Sequence, residues 1–125
     1  MPVLPGINAD KIILGAPVAV TITSGAIAVT DASFYIVAPE GAGVTDDLDT
    51  ITGGTVGQVI VLFCVYTEGT AEFLTVKNAA DYIPAANKIA LSDNADFDIG
   101  WAGTLTLIHD GVGWREIGRS TRSYF

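Results

Sequence analysis

The stretch that decides the fold is Asn87 to Ser120, NKIALSDNADFDIGWAGTLTLIHDGVGWREIGRS. Short apolar or alternating runs recur in it, at Lys88–Leu91, Phe97–Ile99, Thr104–His109 and Trp114–Ile117, and all are too short for helices. Asp110-Gly111-Val112-Gly113 joins the last two, with Asp-Gly in the position that most strongly favours a tight hairpin turn. Asp110, Gly111 and Trp114 are therefore the expected structural residues. The stretch describes stacked short β-strands and carries almost nothing that does chemistry, so the first question is what the protein adheres to.

Working outward, the composition agrees. A chain of 125 residues is sized for one domain. Val, Ile and Thr supply nearly a third of it and Gly another 14 residues, a mix that favours strands and tight turns. Val18–Thr23, Ala26–Thr30 and Phe34–Ala38 read as strands, as does Lys11–Leu14 before the break at Gly15-Ala16-Pro17. Gly43–Gln58 reads as the longest irregular stretch, pinned inward by Leu48 and Ile51. Gln58–Tyr66 is the most apolar strand, and its continuous run suggests cover on both faces. Glu72–Lys77 is its expected partner, and Asn78–Asn87 reads as a loop or one helical turn anchored by Tyr82 and Ile83.

Strands of three to six residues at intervals of about ten suggest a sandwich, a jelly roll or a short β-helix. The expected fold is all-β, a compact antiparallel sandwich or jelly-roll-like domain over residues 11–120. An extended arm precedes it over 1–10, where Pro2 and Pro5 disfavour helix and sheet interior. A short tail follows over 121–125.

The charge inventory narrows the function. Charged residues are 16% of the chain, against about 25% in an ordinary soluble domain. Apolar residues reach 50% and the mean hydropathy is +0.46. The longest apolar run, Val59 to Tyr66, has 8 residues, far below the roughly 20 of a membrane-spanning helix. Homo-oligomerisation is the expected outlet for the excess apolar surface. A net charge of −8 argues against nucleic acid as a partner. Arg115, Arg119 and Arg122 make up half of the Lys and Arg residues, so an acidic body ends in a basic, aromatic tail.

Catalytic equipment is sparse. One His and one Cys cannot furnish a zinc site of three or four soft ligands. A Cys64–His109 dyad is disfavoured because Cys64 sits within VLFCVY, where a buried inert thiol is expected. Nucleophile-elbow, phosphate-loop and dinucleotide motifs are absent. The clusters Asp46, Asp47, Asp49 and Asp93, Asp96, Asp98 do not match a helical calcium loop, and turn capping is their expected role. No enzyme activity, metal or cofactor is expected. Trp101 is the best placed aromatic for exposure, with interface packing favoured over sugar stacking. A lone Cys64 excludes an intrachain disulfide, and MPVLPGINADKI lacks the marks of a signal peptide, so synthesis in a cytoplasm is expected.

The segments DDLDTITGGTVGQVIVL, FLTVKNAADYI, NKIALSDNADFDI and GTLTLIHDGVGWREIGRS, spanning Asp46 to Ser120, together resemble a β-domain of tailed-bacteriophage virion proteins. That domain occurs in capsid decoration (cement) proteins and at the ends of tail fibres. The resemblance implies a homotrimer and offers no catalytic residues to carry over. A short chain suits a cement protein on the phage head, made in the host cytoplasm and bound to the major capsid protein over capsomer junctions. Candidate contacts to the shell or to sister subunits are Pro2, Val3, Leu4, Pro5, Ile7, Arg119, Arg122, Tyr124 and Phe125. The alternative is a trimeric tail-fibre domain that binds a receptor, with a glycan as partner.

Overall fold

A computed structural model describes residues 13–41, 43–67, 71–79, 85–100 and 102–121. These form eleven β-strands and no helix. In chain order they are β1 (Val18–Thr21), β2 (Ala26–Ala28), β3 (Phe34–Ala38), β4 (Thr45–Leu48), β5 (Thr50–Thr52) and β6 (Val59–Cys64). There follow β7 (Phe73–Val76), β8 (Ile89–Ala90), β9 (Phe97–Gly100), β10 (Thr104–His109) and β11 (Trp114–Ser120). Three sheets result: a large one in the order β1-β3-β6-β10-β11-β8, a pair β2-β5, and a triplet β4-β7-β9.

The path of the chain explains the sheets. β3, β4, β5 and β6 visit the large sheet, the triplet, the pair and the large sheet again. Each circuit ends one strand further along, so β6 lies parallel to β3 as β3 does to β1. By the same advance β7 lies parallel to β4, and β5 to β2. The arrangement is β-solenoid-like. From β9 onward the chain doubles back: β9 runs antiparallel to β7, β10 to β6, and β11 to β10.

The expected antiparallel sandwich or jelly roll is thereby corrected, since five of the eight strand pairings are parallel. Parallel neighbours need a crossover of about a dozen residues or more, and here the crossover is the circuit around the core. The expected pairing of Glu72–Lys77 with Gln58–Tyr66 is corrected too, because β7 lies between β4 and β9. Gly43–Gln58 contains two strands, β4 and β5, and their Leu48 and Ile51 are fully buried as expected. Ile13 and Leu14 are exposed and outside any strand, which corrects the described half of the strand expected at Lys11–Leu14. The arm 1–10, Tyr82, Ile83, Trp101 and the residues 122–125 lie outside the described residues.

One core fills the space between the sheets. Period-2 alternation sends Ile60, Leu62 and Cys64 of β6 and Leu105 and Leu107 of β10 inward, with Leu74, Val76 and Ile99 facing them from the triplet. Each fully buried aliphatic side chain contributes roughly 1.5–3 kcal/mol. Trp114 is wholly buried, donates its indole N–H to the Ile51 carbonyl at 3.0 Å, and meets the His109 ring edge-on at 4.9 Å between centroids. Gly54 makes room for it, because a Cβ there would lie 2.4 Å from the Trp114 ring.

The hairpin between β10 and β11 closes as its sequence predicts. Gly111 has φ +101°, which favours glycine. The Asp110 carboxylate accepts the amides of Val112 and Gly113, each at 2.9 Å, and the Arg115 Nε–H at 2.7 Å. Those bonds, with the Gly113 amide foremost, hold its carboxyl far below the usual carboxylate range.

Candidate interaction surface

Side chains that alternate with the core residues point away from it; on the large sheet they are apolar along β3 and β6 and mixed with Thr21, Thr104 and Thr106 on β1 and β10. Strand register arranges them in rows. Ala19, Ile36 and Phe63 cross β1, β3 and β6; Phe34, Val61, Thr106 and Gly118 cross β3, β6, β10 and β11; Val59, Ile108 and Arg115 form a third row. Phe34 and Phe63 pack together at 5.0 Å between ring centroids. From β1 to β10 this outer face carries no charge, and Arg115 on β11 is the first it meets. The other described strands supply buried residues to the core on the opposite side, so none of them lies over this face. The expectation that Gln58–Tyr66 is covered on both faces therefore holds within the described residues for one face.

The triplet sheet differs in chemistry. Its outward row is Asp47, Thr75 and Asp98, with the Thr75 hydroxyl donating to Asp98 at 2.7 Å. At its end, Asp96 pairs with Lys77 at 2.7 Å and accepts the Asn78 amide at 2.8 Å. Asp46 accepts the amides of Glu40 and Asp47, each at 2.8 Å. Among the described residues, no group of three or more His, Cys, Asp or Glu is placed to hold a metal ion.

Arg119, expected as an outward contact, is committed within its own chain. Its guanidinium forks onto Glu116, lies 3.4 Å from Asp93 and sits 4.0 Å above the Phe97 ring. Glu116, with 2% of its side chain exposed, also accepts the amide and hydroxyl of Ser92, both at 2.9 Å. A bulge makes this geometry available. Residues three apart on a regular strand face opposite ways, but Ile117 is an extra residue between the Glu116–Leu107 and Gly118–Thr106 pairs. The bulge turns Glu116 and Arg119 to one side and leaves Ile117 57% exposed. The Arg119 bonds pull the Glu116 carboxyl below its ordinary range, against the opposing effect of burial, with the Ser92 bonds adding to the pull. Sequence reasoning did not find this network; the paired signs of Glu116 and Arg119 beside Gly118 were its one visible trace.

The remaining candidates separate. Cys64 and His109 stand at opposite ends of the β6–β10 pair, because His109 bonds Gln58 at the start of β6. Six residues of strand put them roughly 20 Å apart, so they form no dyad. Burial, with the Glu72 charge second, pushes the Cys64 thiol up to about 12. The His109 Nδ1 accepts the Gly111 amide at 3.1 Å. A cavity of about 370 Å³ opens beyond the ends of β3 and β6, lined by Pro39, Gly41, Val44, Val65, Thr67 and Glu72. Pro2, Val3, Leu4, Pro5, Ile7, Arg122, Tyr124 and Phe125 lie outside the described residues. Set against protein-family models, curated proteins and solved structures, the chain gives no significant match in any of the three.

Proposed function

We propose that this chain is a structural virion protein, a capsid decoration or cement protein that binds as a trimer over capsomer junctions and stabilises a phage head. The observation that carries the reading is the outer face of the large sheet, which is uncharged across β1, β3, β6 and β10 and apolar on its β3 and β6 strands. Such a face is best accounted for by a partner. The resemblance of Asp46–Ser120 to phage virion domains supplies the setting. The mechanism is mechanical: a multivalent cap holds several coat subunits at once, and modest contacts become strong in sum. In this reading the arm, through Pro2, Val3, Leu4, Pro5 and Ile7, and the tail, through Arg122, Tyr124 and Phe125, reach the shell or neighbouring copies.

A host-attachment role as a trimeric tail-fibre tip is the second reading. The open cavity of about 370 Å³ lined by Pro39, Val44 and Val65 favours it, since a concave, largely apolar recess is the kind of site a small ligand fills. Mass spectrometry of separated heads and tails decides between them. The cement reading expects the protein with heads in near-stoichiometric amount. Recovery with tails alone favours the fibre tip, and absence from both removes both readings.

A further inference from the structure

We infer that the outer face of the large sheet is where copies of this chain meet, turned toward the axis they share. The inference rests on the oligomeric part of the proposed function and assigns it to one surface. Charge selects the occupant. The body of the chain is strongly acidic, and its triplet sheet presents Asp47 and Asp98 outward in one row. Two copies joined through that sheet would oppose like charges, which is costly across a desolvated contact. The large sheet instead offers Phe34, Ile36, Val61, Phe63 and Ile108 with no charge among them. An uncharged apolar face matches another of its own kind without repulsion.

Size refines the assignment. Four strands about 4.8 Å apart and five residues long at about 3.3 Å per residue give roughly 300 Å² in projection. A patch of about that extent is often functional, yet it is well under half of what each partner of a stable pair contributes. The face therefore seeds the association, and other segments complete it.

Light scattering on the whole protein and three variants tests the assignment. Val61→Lys and Ile108→Lys place a charge on the central strands. Thr106→Arg does so from a position that is already polar and beside Val61, so it is the variant least prone to misfold. The wild type is expected at a multiple of the 13.0 kDa chain, with each folded variant shifted to the single-chain mass and its circular dichroism unchanged. Asp98→Asn, on the triplet, is expected to keep the wild-type mass. A monomeric wild type, or a folded Thr106→Arg that keeps the wild-type mass, overturns the inference. Neither result bears on whether the protein is found on heads, and absence from heads leaves the assignment of the face intact.

Discussion

The indole N–H of Trp114 on the last strand donates to the carbonyl of Ile51, 63 positions earlier on β5. This bond ties the doubled-back end of the chain to the middle of the coil. Trp114→Phe removes the donor, strands a buried acceptor and leaves a small void, for a combined loss of about 2–4 kcal/mol. Urea denaturation is expected to show that loss with the slope of the transition unchanged.

Gly54 is tested by its contrast with Gly118. A methyl group at Gly54 would lie 2.4 Å from Trp114 and 2.8 Å from His109, whereas at Gly118 it would meet nothing within 4 Å. Gly54→Ala is expected to cost about 1–3 kcal/mol by overpacking. Gly118→Ala is expected to stay within about 0.5 kcal/mol of wild type. Thermal melts of the two variants read the difference.

Much of this fold was legible in its residues, and the failures have a common cause. β10 alternates TLTLIH, and polarity separates its faces over Thr104–Leu107, then inverts at Ile108, which faces out, and His109, which is buried. β6 alternates in burial equally well, but VIVLFC is apolar on both faces, so its outward half is invisible as such in sequence. The Asp110-Gly111 turn acts locally and was read correctly. β7 was assigned to the wrong neighbour because parallel partners arrive from the preceding circuit, as Phe73 beside Thr45 does, and no repeated motif marks that distance. The Asp- and Gly-rich letters around Leu48 and Ile51 concealed β4 and β5. Glu116 and Arg119 could not be joined without knowing where the bulge falls.

Acid is expected to weaken the Glu116 network. A carboxylate held below its ordinary value of 4.5 contributes stability that is fully present above that value and is lost as pH falls through its folded value. Glu116→Gln should cost about 1–3 kcal/mol at neutral pH, since charged acceptors make the stronger bonds. Urea midpoints of the two proteins should differ most near pH 7 and converge as pH drops below about 4.5. A constant gap down to pH 3 would contradict the assignment.

Arg119 and Arg122 separate a folding role from a contact role. Arg119→Ala unpairs a nearly buried carboxylate and uncovers Phe97, for an expected loss of about 2 kcal/mol in a denaturation curve. Arg122→Ala is expected to leave stability within about 0.5 kcal/mol of wild type and to lower the amount of protein bound to heads. Equal effects of both variants on stability, with no change in head binding, would remove the tail from the contact list.

The most direct measurement is cryo-microscopy of the phage particle. The account predicts compact three-fold density on the outside of the head, seated over capsomer junctions, with the large sheets of three copies turned toward the common axis. Heads without such density, or density that fits single copies with the large sheet facing solvent, would contradict it.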